Sequence, residues 1–217
     1  NSKLIGQAER YHFRVGTSFD LLAGYTRPMA KDCQTFCHKT KAGMRLKWGK
    51  DSIYTCYMAA CEARYTNVYN AHKFNTEFTK SPEFVETLKQ QLWRSGTTLH
   101  RWHSGGDFYD WDYFQRIYEI TESLPEIYFY SYTKQASFIK WYNQNKLPNF
   151  DMIYSFGGLM DDYAKDNELP GSYVIMERRK YKGKSMTEYG LPIACQDNKY
   201  DDLEYIKQQV NFGLIVH

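Results

Sequence analysis

A chain of 217 residues with 42% apolar and 24% charged residues is long enough to bury a core and too apolar for disorder. A net charge of +3 is too small to argue nucleic-acid binding by itself. No apolar run approaches bilayer length and no charged-then-apolar leader opens the chain, so a cytoplasmic protein without membrane partners is expected.

The aromatic share is high, with 20 Tyr, 13 Phe and 5 Trp. Tyr joins an apolar ring to a polar tip, so these residues can fill cores or line grooves. The five cysteines are an odd number in a chain of this size, which argues against a disulfide framework and leaves thiols or metal ligands.

Residues 1–45 read as irregular, with a short strand near Tyr11–Val15. Residues 52–74 contain no Gly or Pro and predict a helix. Ser81-Pro82-Glu83 predicts a helix start, with Ser as cap, and Ser95-Gly96 its end. Leu99–His103 then predicts a strand, and Asp110 caps a helix running to Ser123. A strand at Ile127–Tyr132, a helix at Ser137–Asn145 and a strand at Met152–Phe156 follow. The chain closes with a strand at Tyr173–Met176, a helix at Asp202–Gln209 and a strand at Phe212–Val216. Strands alternating with helices imply crossover connections and a mostly parallel α/β sheet in one domain over residues 1–217, open or barrel-like.

Parallel α/β sheets bind ligands beyond the carboxyl ends of their strands. Two predicted strands run there into Gly-Gly and an Asp: His103-Ser104-Gly105-Gly106-Asp107 and Ser155-Phe156-Gly157-Gly158-Leu159-Met160-Asp161. Glycine pairs allow close backbone approach and leave N–H groups to meet an anion. With Lys134 after the middle strand and His217 after the last, these residues are expected to ring one face.

A second constellation is built on sulfur. Cys33 and Cys37 lie four apart, a spacing that puts two thiolates on one face of a helical turn, and Cys56 and Cys61 follow. Such sets hold an iron–sulfur cluster or zinc.

Several stretches together resemble the phage gene product 88 family, which is similar in outline to radical S-adenosylmethionine barrels. They are Thr26–His38 (TRPMAKDCQTFCH), Val68–Asn75 (VYNAHKFN), His103–Lys134 with its GDFY and FYSYTK, Ser155–Gly158 and Asn211–His217. The resemblance implies a partial (β/α) barrel of radical-SAM-like type, in the cytoplasm of an infected bacterium. It implies metal ligation by Cys33 and Cys37, within a Cys-containing N-terminal segment over residues 1–80. His103, Asp107 and Lys134 are the catalytic candidates. Ser104, Gly105, Gly106, Ser155, Gly157, Gly158 and Asp161 are the candidates for holding a small-molecule cofactor of the S-adenosylmethionine kind.

Two departures stand out. Arg27 occupies the position of the family's Cys before Pro28, and only Cys195 remains of its C-terminal cysteines. Residues 44–64 read as an insertion that brings Cys56 and Cys61, either of which can replace the missing ligand. Two other functions fit the residues. One is a divalent-metal nuclease or hydrolase using His103, Asp107, Asp161 and His217. The other is a non-catalytic binder of nucleic acid or a host protein through Tyr side chains and the basic run Arg178–Lys184.

Overall fold

The computed structural model describes residues 2–23, 36–37, 46–47, 57–175, 178–181, 184–194 and 202–215. Its frame is a parallel sheet of seven strands: β1 (Gly16–Phe19), β4 (Leu99–Trp102), β5 (Tyr128–Thr133), β6 (Phe150–Ser155), β7 (Gly171–Ile175), β9 (Phe212–Ile215) and β8 (Ile193–Ala194), in that spatial order. All six pairings are parallel, and the sheet curls into a half-barrel flanked by helices. A separate antiparallel pair joins β2 (Phe36–Cys37) and β3 (Leu46–Lys47).

The nine helices among the described residues are α1 (Ser2–Arg10), α2 (Tyr57–Arg64), α3 (Thr66–Phe78), α4 (Phe84–Ser95), α5 (Trp111–Glu122), α6 (Ala136–Gln144), α7 (Asp161–Asp166), α8 (Arg178–Tyr181) and α9 (Asp202–Gln208). Alternation along the strands decides which helix meets which face. Phe19, Trp102, Phe129, Met152 and Tyr154 point to one face and pack on Phe84 and Leu88 of α4, Phe114 and Ile117 of α5, and Ile139 and Tyr142 of α6. The intervening residues Leu99, Tyr130, Ile153 and Phe212 point the other way and meet Leu4 and Ala8 of α1 and Leu203 and Ile206 of α9. Each such Leu or Phe contributes about 2 kcal/mol by leaving water.

Chain handedness explains this division. From β1 to β7 every step moves in one direction across the sheet, so right-handed crossovers keep their helices on one face. The step from β8 back to β9 runs the other way, which sends α9 to the opposite face.

Local signals account for most boundaries. Asp110 caps α5 by accepting a hydrogen bond from the Tyr113 amide at 2.8 Å. Gly96 ends α4 at φ +65°, in the left-handed region. Four expectations need correcting. The region expected to be irregular contains α1, and the first strand lies at Gly16–Phe19, just beyond Tyr11–Val15. A Cβ on Gly16 would stand 2.5 Å from the Leu4 carbonyl oxygen, so this glycine lets α1 close on the strand. The long helix over 52–74 is two helices broken at Tyr65, which is extended at φ −118° and ψ 105°; residues 51–56 lie outside the described residues. The helix expected from Ser81 begins at Phe84 after a turn, with Glu83 rather than Ser81 at the cap position.

Several of the described Tyr serve the core. Tyr113, Tyr130, Tyr142 and Tyr154 are fully buried, and each hydroxyl has a partner: His103, Gln7, the Phe150 carbonyl and Asp161.

Candidate functional site

Parallel pairing brings Phe19 beside Trp102, Trp102 beside Ser131 and Thr133 beside Tyr154, so β1, β4, β5 and β6 end side by side. Polar side chains lace these ends together. Asp20, directly after β1, accepts hydrogen bonds through Oδ1 from the amides of Ser104 and Gly105 (2.9 Å for the latter). Its Oδ2 accepts from Ser18 Oγ at 2.9 Å, and its carbonyl accepts from Asn75 Nδ2 at 2.9 Å. The amides of the first Gly-Gly turn therefore already hold a carboxylate of this chain.

Asp107 makes the next link. Its Oδ1 accepts from the Phe108 amide at 2.8 Å and Thr133 Oγ1 at 2.6 Å, and its Oδ2 from the Lys134 amide at 2.9 Å. Lys134 makes the third: its buried Nζ donates to the Ser155 carbonyl at 2.6 Å and the Phe156 carbonyl at 3.1 Å, and contacts Ser155 Oγ at 3.4 Å. The second Gly-Gly turn repeats the first. Asp161, in the first turn of α7, accepts from the Gly157 amide at 2.9 Å, the Gly158 amide at 2.9 Å and the Tyr154 hydroxyl at 2.9 Å.

The glycines of the first turn are set by close approach. Gly106 has φ +80°, and a Cβ there would stand 2.6 Å from Leu21 Cβ. On Gly105 a Cβ would stand 2.4 Å from Met58 Cγ and 3.4 Å from His72 Cε1. His103, at the end of β4, takes φ +61° and shares a hydrogen bond of 2.8 Å between Nε2 and the Tyr113 hydroxyl.

The structure thus brings His103, Ser104, Gly105, Gly106, Asp107, Lys134, Ser155, Gly157, Gly158 and Asp161 to one end of the sheet. The sulfur set is less fully described. Cys33, Cys56 and His217 lie outside the described residues, as does Cys195. Cys37 lies in strand β2 instead of the helical turn expected from its spacing to Cys33. Cys61 is a free, half-buried thiol on α2. In the basic run, Arg178–Tyr181 form a helical turn in which Lys180 pairs with Glu188 at 2.8 Å.

Sequence reasoning missed Asp20, Glu62 and His72. Glu62 Oε1 accepts from the Ala23 amide at 2.9 Å and pairs with His72 Nδ1 at 2.7 Å, and both side chains are buried. Among the described residues, Glu62 Oε2 is buried with no hydrogen-bond partner. The signal for His72 lay in the family-like stretch Val68–Asn75. Glu62 was hidden in the expected continuous helix, whose break at Tyr65 lets α2 and α3 face one another.

Burial also perturbs His100, whose Nδ1 shares a 2.8 Å hydrogen bond with Thr17 Oγ1. Removal from water disfavours its charged form and lowers its pKa to about 3. Among the described residues no three His, Cys, Asp or Glu side chains are grouped to hold a metal ion, and no helix is long and apolar enough to cross a membrane. The described part of this rim offers a carboxylate–imidazole pair, a free thiol on the same helix and two carboxylate-filled turns. Comparison with curated proteins and with solved structures finds no match. The family model of Gene product 88 matches residues 1–212, and the chain therefore belongs to the Gene product 88 family.

Proposed function

We propose that this protein is a radical-SAM-like iron–sulfur or metal-binding protein that works at the carboxyl ends of β1 and β4, in the cytoplasm of an infected bacterium. Cys33 and Cys37 supply thiolates to the metal, and Cys56 or Cys61 replaces the ligand lost at Arg27. His103, Asp107 and Lys134 organise the adjoining strand ends over which a substrate would lie.

One observation carries this reading. The described stretches that end at Ala23 and begin at α2, which flank Cys33 and Cys56 in sequence, are linked to one another and to the first Gly-Gly turn. The Ala23 amide is bonded to Glu62, Leu21 is bonded to the Gly105 carbonyl at 3.0 Å, and Met58 lies against Gly105. The meeting of these flanking stretches supports a metal site near this turn.

The same geometry limits how a cofactor of the S-adenosylmethionine class would fit. The amides of Ser104, Gly105, Gly157 and Gly158 are filled by Asp20 and Asp161, so these four do not suit an anionic group. The carboxylates of Asp20 and Glu62 beside the first turn instead favour a cationic group. A hydrolytic centre on Asp107 and Asp161 gains nothing from the geometry, because each carboxylate serves its own set of hydrogen bonds.

The test is metal content of anaerobically purified chain and of the single variants Cys33→Ala, Cys37→Ala, Cys56→Ala and Cys61→Ala. Loss of bound iron or zinc in the first two and in one of the others supports the reading. Unchanged metal in all four overturns it.

A further inference from the structure

We infer that Glu62 and His72 form a proton-accepting pair beside the first Gly-Gly turn, in which His72 Nε2 takes a proton from the protonated amine of a bound ligand. The inference goes beyond the metal-binding reading: it uses no cysteine and no metal, and stands on Asp20, Glu62, His72 and the turn at Gly105.

The tautomer is the first argument. Glu62 Oε1 lies 2.7 Å from His72 Nδ1, and an ionised carboxylate can only accept, so Nδ1 carries the proton. The neutral ring then keeps its lone pair on Nε2, which makes no hydrogen bond among the described residues. A carboxylate behind the protonated nitrogen is how an imidazole is set up to accept a proton at the other one. It fixes the ring and faces the positive charge that forms there.

Position is the second argument. His72 Cε1, which lies between the two ring nitrogens, is 3.4 Å from where a Gly105 Cβ would stand, so this ring edge faces the first Gly-Gly turn. The His72 side chain is 9% exposed, enough for its edge to be reached while the pair stays shielded from water. The two other buried histidines of the described residues differ in this respect. His103 Nε2 is bonded to the Tyr113 hydroxyl at 2.8 Å, and His100 Nε2 is enclosed in the core.

Charge is the third argument, and it selects the ligand. Among the described residues Glu62 Oε2 is buried with no hydrogen-bond partner, a costly arrangement for a carboxylate unless positive charge is nearby. Asp20 adds a second carboxylate, bonded to the Gly105 amide at 2.9 Å. Both favour an ammonium group over the turn. In the step, an N–H bond of the ammonium breaks, its electron pair stays on the amine nitrogen, and the proton forms the new N–H bond at Nε2. Positive charge passes from ligand to ring and stays within reach of the same carboxylates. A hydroxyl in that place would leave an anion, which both carboxylates oppose. Glu62 is thus a positioning residue and His72 the catalytic one.

Diethyl pyrocarbonate, which acylates an imidazole nitrogen that carries a lone pair, tests the pair on the full chain, with each modified histidine located by peptide mass. His72 is expected to react about tenfold or more faster than the enclosed His100, and about tenfold or more slower once Glu62→Gln removes the charge behind it. A His72 as inert as His100, or a rate that Glu62→Gln leaves unchanged, overturns the inference. Should Glu62→Gln lose its fold by circular dichroism, NMR of the ring nitrogens reads the tautomer in the unmutated chain. The proton is expected on Nδ1, and a proton on Nε2 contradicts the pair. The same resonance reads the ligand: ethylammonium chloride should shift His72 Nε2 more than sodium chloride does at equal concentration, and equal responses rule out the amine. Metal content of Cys33→Ala and Cys37→Ala decides the metal-binding reading separately, so either can fail while the other stands.

Discussion

Asp107, in the loop after β4, accepts a 2.6 Å hydrogen bond from Thr133 at the end of β5, so two neighbouring strands are fastened by a buried side-chain pair. The Asp107 carboxylate also collects the Phe108 and Lys134 amides. Asp107→Ala would leave three buried donors unsatisfied, at about 1–3 kcal/mol for each that finds no water. A loss of about 3 kcal/mol or more in urea unfolding is expected. Asp107→Asn keeps one acceptor oxygen and should lose clearly less. Equal losses would show that the charge, and not the acceptor geometry, holds the two ends.

Gly106 and Gly96 separate two costs of a side chain. Both have positive φ, but a Cβ at Gly96 meets nothing within 4 Å, whereas at Gly106 it would stand 2.6 Å from Leu21 Cβ. Gly96→Ala should cost about 1 kcal/mol for backbone conformation alone. Gly106→Ala adds overpacking of about 1–3 kcal/mol, so its Tm should fall clearly further. Similar melting temperatures for the two variants would mean that Leu21 yields.

His100 should make the fold acid-sensitive. Its pKa is lowered by burial from 6.5 to about 3, so the unfolded chain takes up a proton that the folded chain refuses. This contribution is fully present above pH 6.5 and is lost as the pH falls toward 3. At pH 5 the loss is about 2 kcal/mol, from about 1.4 kcal/mol per pH unit. Chemical denaturation at pH 7 and pH 5 should show the unmutated chain losing about 2 kcal/mol more than His100→Gln. Parallel losses in the two proteins would contradict the assignment.

Asp151 has the opposite sign. Burial raises its pKa, and the hydrogen bond from the Tyr128 hydroxyl only partly offsets this. The folded state therefore holds the proton more tightly than the unfolded chain does. The resulting stability is present below the ordinary carboxylate range and is lost as the pH rises through the raised pKa. Asp151→Asn, which keeps an acceptor for Tyr128, should stabilise the protein at pH 7 relative to pH 3. Urea midpoints at the two pH values check this, and a midpoint that falls at pH 7 contradicts it.

Much of the fold was legible because its signals are local. Asp110 caps α5 through its own side chain, and Gly96 ends α4 because, lacking a Cβ, it takes a positive φ. The order β7-β9-β8 was not legible, since no local pattern says that the last strand enters between two earlier ones. At the site, the Gly-Gly-Asp turns could be found, but their occupants could not. Asp20 lies 84 residues from Ser104, and nothing near either one announces their hydrogen bond. The pairing of Glu62 with His72 depends on a helix break at Tyr65, a residue that by itself favours no such break.

The central proposal is that Cys33 and Cys37 supply thiolates to a bound metal. Its most direct test is iron, acid-labile sulfide and zinc per chain, with an absorption spectrum, after anaerobic purification of the full chain. The account predicts a stoichiometric thiolate-bound metal, brown if it is an iron–sulfur cluster. A colourless, metal-free chain that takes up neither iron nor zinc under reducing conditions would contradict it.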